Sequence, residues 1–358
     1  MQGINWEKTK ERMAALWENE VVDRCCVAIP VSPGPGDYEV ITQMSSDLSD
    51  EEIKQGYTDP DYITNQFKQK YVRTKYVGDA LPCIFPNFGT AGFVQYTGSK
   101  PTYKADTIWL SKVLTEPDAS QITFDENIYR QHLEHIKDLV QRCDGSYMIA
   151  MPDNSGIIDG LAAIRGSDSL LFDLIEERNF IKEATQKLIN IQKKTIPGIF
   201  DAIQQTNDGG SSHAWMHLWC PKKVAQVQCD FSVMISPDDY KEFVVPELEA
   251  ASEWTDYAVY HLDGQEQIRH LDALLSVDAV KMIQWTPVAG QPPASDFIPV
   301  FQRIQKSGKG LVLLLQSWEV EKVVTELSSK GLQMVVNDVH SEEDALELLK
   351  LVEKKTHC

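Results

Sequence analysis

The sequence predicts a (β/α)8 barrel, a ring of eight parallel strands surrounded by helices, with helical and loop additions at the N-terminus. Three observations support this prediction. The second half of the chain alternates four apolar strands with four helices, and each helix must carry the chain back for the next parallel strand. Four apolar segments upstream bring the strands to eight. The chain of 358 residues suits one barrel domain with insertions, spanning residues 1–358.

The N-terminal half supplies the additions and the first four predicted strands. Asn5 can cap a first helix that runs to about Asn19. An amphipathic helix is expected over residues 127–143, and residues 157–200 are expected to be largely helical. The four strands are expected at the apolar segments near Cys25, Leu81, Tyr147 and His213.

The C-terminal half is more regular. Its strands are expected at residues 258–262, 280–285, 311–315 and 332–336, and its helices at about 266–275, 297–306, 320–327 and 342–353. An open doubly wound sheet is the main alternative topology. That topology would require a glycine-rich nucleotide-binding turn after an early strand, and the sequence has none.

Composition and charge restrict the class of protein. Hydrophobic residues make up 42% of the chain and charged residues 24%, which is typical of a soluble globular protein. The net charge is -19, and the basic residues are scattered rather than gathered in a stripe, so we expect no nucleic-acid partner. The sequence has no apolar run of the roughly 18 residues that span a membrane. Seven cysteines without a CxxC pair indicate reduced thiols, so we expect a cytoplasmic protein without a membrane partner.

The middle third of the chain contains the strongest candidates for a reactive site. Residues 213–219 alternate histidine and tryptophan with apolar residues, so a single strand would place the polar ones on one face. His261 and Asp263 share a face of the next predicted strand for the same reason, and Asp230 lies between these segments. We expect a catalytic group of His217, Asp230, His261 and Asp263.

Polar and indole side chains follow nearly every other predicted strand. The carboxyl ends of barrel strands carry the chemistry in this fold, and tryptophan suits the mouth of a pocket for a flat or apolar ligand. A carboxylate at a strand end can instead cap the following helix, and Asp79 is expected at one such end. We expect substrate contacts from Trp215, Trp219, Asp153, Asn154, Gln284, Trp285, Gln316, Trp318, Asn337 and His340.

The mixture of histidine and aspartate fits two kinds of chemistry. Zinc takes nitrogen and oxygen ligands and keeps one position open in catalytic sites, and its expected ligands here are His217, Asp230 and His261. The same side chains fit acid–base catalysis, in which carboxylates tune an imidazole. The sequence leaves both alternatives open.

The chain resembles the uroporphyrinogen decarboxylase superfamily, which includes the corrinoid-dependent methyltransferases, over residues 23–352. Residues 229–237 resemble the family's Asp–Ser segment, and residues 260–264 (Tyr-His-Leu-Asp-Gly) resemble its His-x-Asp-Gly or His-x-Cys-Gly strand. The nearest branch is the decarboxylase-like group of methylamine corrinoid systems in anaerobes. The resemblance implies a (β/α)8 barrel that moves a methyl group between a small O- or N-methyl compound and a corrinoid, the cobalamin type of cofactor, carried on a separate protein.

Two departures from the family narrow the expected activity. The decarboxylases hold a polycarboxylate with an arginine-rich N-terminal loop. Here the corresponding Arg24-Cys25-Cys26 segment leads into a loop of Ser, Pro and Gly without an arginine pair, so porphyrinogen decarboxylation is not expected. The zinc methyltransferases use His-x-Cys and a later cysteine, but Asp263 replaces the first cysteine and residues 315–317 supply no second. Three alternatives remain: methyl transfer or demethylation, a lyase or decarboxylase of a small acid, and a silent ligand-binding homologue. A monomer and a homodimer are both left open.

Overall fold

The computed structural model describes residues 4–32, 44–45, 47–153 and 156–357. Its strands are β1 (Cys26–Val31), β2 (Lys75–Gly78), β3 (Cys83–Ile84), β4 (Pro101–Tyr103), β5 (Ile108–Leu110), β6 (Met148–Ile149), β7 (Ser211–His213), β8 (Leu218–Cys220), β9 (Val224–Gln228), β10 (Tyr257–Asp263), β11 (Val280–Thr286), β12 (Gly310–Leu315) and β13 (Leu332–Val336). Its α-helices are α1 (Trp6–Trp17), α2 (Asp50–Thr58), α3 (Pro60–Tyr71), α4 (Glu126–Gln141), α5 (Ile157–Arg165), α6 (Ser167–Glu176), α7 (Arg178–Ile203), α8 (Pro237–Asp239), α9 (Val245–Ala250), α10 (Leu271–Leu275), α11 (Ile298–Lys306), α12 (Val320–Glu326) and α13 (Glu342–Lys355). None of the helices described has the length and hydropathy needed to cross a membrane.

A seven-stranded sheet forms the frame of the fold. Its strands lie in the order β2-β1-β13-β12-β11-β10-β9, and all neighbours are parallel except β2, which runs antiparallel to β1. Apolar runs such as β12 suit parallel strands that are covered on both faces. The α/β class predicted from the sequence is confirmed. Within the described residues, the ladder of this sheet does not extend around a complete ring.

A parallel pair, β3 and β6, and an antiparallel hairpin, β7 and β8, lie beside this sheet. Hydrogen bonds connect these elements to one another and to the sheet. The Met151 N–H donates to the Ser212 carbonyl at 2.9 Å, which links the end of β6 to β7. The Val224 N–H donates to Ser211 Oγ at 3.0 Å, which links β7 to β9. The Asp79 N–H donates to the Val27 carbonyl at 2.7 Å, which links the segment before β3 to β1.

The sheet separates two apolar cores because side chains along a strand point alternately to opposite faces. On β10, Tyr260 lies in the core that faces the helices, and Val259 lies in the other core. Helix α1 and the β7–β8 hairpin pack into this second core. There the Trp17 indole donates to the Trp219 carbonyl at 2.9 Å. The side chains on the face of the sheet opposite the helices are therefore covered partly by α1 and the β7–β8 hairpin.

Two predictions for the middle of the chain are wrong. Residues 213–219 do not form one strand, because the chain turns at residues 214–217 between β7 and β8. His217 occupies the left-handed region in this turn, with φ of 45°. The turn contains no Gly, Pro, Asn or Asp, the residues that usually mark turns in a sequence. Strand β9, which pairs with β10, was missed, and its alternation of apolar residues with Gln226 and Gln228 was the available signal.

Asp79 does not lie at the carboxyl edge of the parallel strands. It follows β2, which runs antiparallel to β1, so Gly78 pairs with Ala28 near the start of β1. The side chain of Asp79 is fully buried and forms ion pairs with Arg24 and Arg12. The expected strand-end carboxylate is therefore a structural ion pair at the amino edge of the sheet.

Candidate active site

Three side chains converge at the carboxyl ends of β9 and β10. His261 and Asp263 alternate along β10 and point to the same side. Asp230 follows β9 at the start of a 3₁₀ turn, Asp230–Met234. One nitrogen or oxygen atom of each residue lies within 4.8 Å of those of the other two, and all three residues are half-buried. We name Asp230, His261 and Asp263 the acid–imidazole cluster; their catalytic role stays a prediction.

His217, the fourth residue expected to converge, does not belong to this cluster. Its Nδ1 accepts a hydrogen bond from the Leu81 N–H at 2.8 Å, and the Gln333 side chain donates to its carbonyl at 3.2 Å. Leu81 precedes β3 and Gln333 is the second residue of β13, so His217 lies toward the amino ends of the strands. Burial lowers the pKa of His217 to about 3. The expected placement of His217 is wrong because the hairpin reverses the chain before this residue.

Gln284 orients the imidazole of His261. Its Oε1 lies 2.5 Å from His261 Nδ1, and its Nε2 donates to Thr286 Oγ1 at 2.9 Å. Because an amide oxygen only accepts, Nδ1 carries the proton, which leaves the Nε2 lone pair for a metal ion or a proton. Trp215 meets the imidazole edge-on, with ring centroids 5.5 Å apart. Two expected substrate residues, Gln284 and Trp215, therefore contact His261.

Asp230 is surrounded by other carboxyl groups. Burial raises its pKa to about 8, together with the negative charges of Asp159, Asp263 and Asp153. Burial also raises the pKa of Asp153 to about 6, against the opposing effect of His261. Asp230 Oδ2 accepts from the Gln228 side chain at 2.8 Å, whereas its buried Oδ1 has no hydrogen-bond partner in the part of the chain described. At neutral pH, Asp230 therefore retains a proton unless a cation is bound beside it.

Asp159 is a residue of the site that the sequence analysis missed. It lies in the first turn of α5, and its carboxylate accepts from the N–H groups of Asp230 at 2.9 Å and Phe231 at 2.8 Å. Buried Glu247 accepts from the first turn of the same helix at 3.0 Å. A single acid within the apolar residues 157–164 was an available signal. Asp159 thus fixes the backbone that carries Asp230.

Two tryptophans expected to line the pocket are core residues. Trp285 packs against Phe297 and Phe301, with ring centroids 4.6 and 5.4 Å away, in the core that faces the helices. Trp285 directly follows Gln284 on β11, so its side chain points to the opposite face of the sheet, away from the cluster. Trp219 lies in the second core, where its indole donates to the Asn207 carbonyl at 2.8 Å. Both residues are therefore corrected to structural positions.

The other expected substrate residues follow β12 and β13. Gln316, Trp318, Asn337 and His340 are all exposed, with Trp318 at 64% of its surface. His340 lines a surface groove next to Ser317 and Asp338. The structure records no hydrogen bond between these four residues and the acid–imidazole cluster within the ranges described. Their substrate contacts stay predictions, and Asn154 lies outside the described residues.

The acid–imidazole cluster fits a divalent cation. One imidazole and two carboxylates form a ligand set that suits zinc and leaves a coordination position open. The unpaired Oδ1 of Asp230 is available as a ligand, and Gln284 supplies the hydrogen bond that metal-binding histidines usually make through their other nitrogen. Across residues 4–357, apart from the gaps named above, no other group of three such side chains lies this close together. The expected ligand set changes by one residue, with Asp263 in place of His217.

Comparison with solved structures identifies a protein with a similar fold. No family model matches the chain, and no curated protein matches it. Among solved structures, the chain is similar to a methyltransferase from Methanosarcina mazei, with 11% sequence identity and a TM-score of 0.64. The match covers 97% of this chain and 98% of that chain. At this identity, the likeness shows a shared fold over nearly the full length of both proteins.

Proposed function

We propose that this protein is a methyltransferase of the uroporphyrinogen decarboxylase superfamily that moves a methyl group between a small O- or N-methyl compound and a corrinoid on a separate protein. The acid–imidazole cluster carries this proposal, because it lies at the carboxyl ends of parallel strands. The fold shared with the methyltransferase from Methanosarcina mazei also supports it.

We infer further that eight strands, β1, β3, β6 and β9–β13, close into a (β/α)8 barrel, with β7 lying between β6 and β9. Closure requires a connection from β9 through β7 to β6 and a contact from β3 back to β1. The hydrogen bonds of Val224, Met151 and Asp79 described above support each of these contacts.

In this proposal, Asp230, His261 and Asp263 hold a divalent cation, and zinc matches the ligand set. Such an ion supplies Lewis acidity that weakens the bond between the methyl group and its oxygen or nitrogen. His261 binds through Nε2, since Gln284 engages Nδ1, and Asp230 binds through its unpaired Oδ1. Without an ion, the proton on Asp230 is in place to neutralise the leaving oxygen or nitrogen by general acid catalysis.

The charges of the site disfavour a lyase or decarboxylase of a small acid. Among the described groups that shift the pKa of Asp230 and Asp153, His261 is the only base, and the others are carboxyl groups. Without a bound cation, a carboxylate substrate would lack the positive partner that offsets its loss of hydration in this half-buried site, and the two aspartate ligands would already balance the charge of a divalent ion. A methyl ether or a methylated amine carries no negative charge and avoids that cost.

Methyl transfer to reduced cobalamin, either free or bound to a corrinoid protein, tests this proposal. Purified protein mixed with methylated aromatic ethers or amines is expected to produce methylcobalt absorbance. His261→Ala should lower the rate by about 100-fold or more, whereas His357→Ala, at an exposed histidine of the C-terminus, should leave it unchanged. Absence of methylcobalt across a broad panel of donors with the unmodified protein would contradict the proposal.

A further inference from the structure

A cavity lies among α2, α4, the β4–β5 hairpin and the segment after β3. Its volume is about 390 Å³, and none of its lining residues belongs to the acid–imidazole cluster. Pockets for small molecules typically measure about 300–1,000 Å³. The cavity is therefore large enough for a compound of one or two rings.

Stacked aromatic side chains line this cavity. Phe88 lies flat on His132, with ring centroids 4.0 Å apart and an interplanar angle of 5°. Tyr57 and Tyr103 form a second stacked pair, with centroids 5.5 Å apart and an angle of 27°. Flat surfaces of this kind favour a planar ligand, because aromatic rings gain by offset stacking and edge contacts.

Among the described residues, the cavity offers no charged partner to a ligand. None of its described lining residues is Asp, Glu, Lys or Arg, although 24% of the chain is charged. Two histidines one turn apart on α4 also line it. Burial lowers the pKa of His132 to about 4 and also lowers that of His135, so both imidazoles are neutral at pH 7. A neutral ligand is therefore favoured over an anion or a cation.

One polar atom at the cavity is unsatisfied. Nε2 of His135 is buried and has no hydrogen-bond partner among the residues described, although the Thr58 backbone interacts with the same imidazole. The Tyr57 hydroxyl is already engaged, since it donates to the Lys104 carbonyl at 2.9 Å. A buried polar atom without a partner is costly, and a ligand with a matching donor or acceptor would remove that cost.

We propose that this cavity binds a neutral, planar heteroaromatic compound that packs against Phe88, His132 and the Tyr57–Tyr103 pair and forms a hydrogen bond with His135 Nε2. The two stacked pairs determine its flat shape, the absence of charged lining residues determines its neutrality, and the unpaired Nε2 determines its single polar contact. The proposal does not depend on the methyltransferase activity.

Indazole is a suitable probe, because it is planar and neutral at pH 7 and offers both a donor and an acceptor. We expect saturable binding with a Kd of about 1 mM or tighter, detected as shifts in the imidazole signals of His132 and His135 in protein with ¹³C-labelled histidine. His132→Gln and His135→Gln variants assign these two signals. Benzoate, which has a similar size and a negative charge, should leave both signals unchanged.

Two matched variants on the β4–β5 hairpin locate the binding site. Tyr103→Ala removes part of the aromatic wall and should weaken indazole binding by about fivefold or more. Trp109→Ala removes an aromatic ring that is 66% exposed and outside the cavity, and should leave binding unchanged. Asn87 also lines the cavity, from the segment after β3; Asn87→Leu places a larger side chain there and should weaken indazole binding, which gives a second test if Tyr103→Ala fails to fold.

Three results would overturn the proposal. Indazole could leave both histidine signals unshifted at about ten times the expected Kd. It could bind while these signals stay fixed, which would place the probe elsewhere. Its affinity could also be the same in the Trp109→Ala, Tyr103→Ala and Asn87→Leu variants.

Discussion

Replacing Asp230 with asparagine is expected to stabilise the metal-free protein at neutral pH. The pKa of this carboxyl is about 8 in the folded chain and about 3.9 in an unfolded chain. The folded state therefore binds the proton more tightly than the unfolded state. The contribution of Asp230 to stability is fully present below about pH 4 and is lost as the pH rises to about 8. At pH 7 the loss is on the order of 1–4 kcal/mol, which asparagine avoids.

Urea unfolding in the presence of EDTA at pH 5, 7 and 9 measures this effect. The gain in unfolding free energy of Asp230→Asn should grow from pH 5 to about pH 8 and then stay constant. Asp201→Asn, at an exposed aspartate on α7, should change stability by no more than about 0.5 kcal/mol at each pH. A gain that is absent, or that shrinks as the pH rises, would show that Asp230 is not held in its protonated form.

The Asp79→Ala variant is expected to lose about 3–5 kcal/mol of stability. The fully buried carboxylate accepts hydrogen bonds from Arg24 at 2.5 Å, from the Val27 N–H at 3.1 Å, and from Arg12 and Thr9 at 3.2 Å each. Removal of Asp79 leaves the guanidinium of Arg24, itself buried, without its ion-pair partner. An uncompensated buried charge is among the most destabilising defects in a protein.

Chemical unfolding of Asp79→Ala and Asp23→Ala gives the comparison. Asp23 pairs with the same Arg12 at 2.6 Å, but its side chain is 41% exposed. Exposed ion pairs contribute up to about 1 kcal/mol, so Asp23→Ala should have a much smaller effect. Equal losses in the two variants would refute the role given to the buried ion pair.

The C-terminal half of the fold was predictable from the sequence, but much of the N-terminal half was not. Strand β12 was expected at 311–315 and is Gly310–Leu315, because a buried parallel strand is an uninterrupted apolar run. Strands β3 and β6 have two paired residues each, too few to show a period of two. The β7–β8 hairpin was read as one strand because both structures share the same alternation of residues.

The same limits apply to the candidate site. Asp263 and His261 were predicted to lie together because residues two positions apart on a strand share a face. Asp159 was missed because it approaches the Asp230 N–H from a helix 71 residues away in the chain. His217 was placed in the site only from the alternation of residues along a strand. Alternation predicts which face of a strand a side chain lies on, but not whether it lies near the amino or the carboxyl ends of the strands.

Titration of EDTA-treated protein with zinc, followed by calorimetry, tests the central claim that Asp230, His261 and Asp263 form one metal-binding reactive centre. We expect one ion bound per chain, loss of binding in His261→Ala and Asp263→Ala, and unchanged binding in His357→Ala. A protein that takes up no zinc, or one whose affinity is the same in the His261→Ala and Asp263→Ala variants, would contradict it.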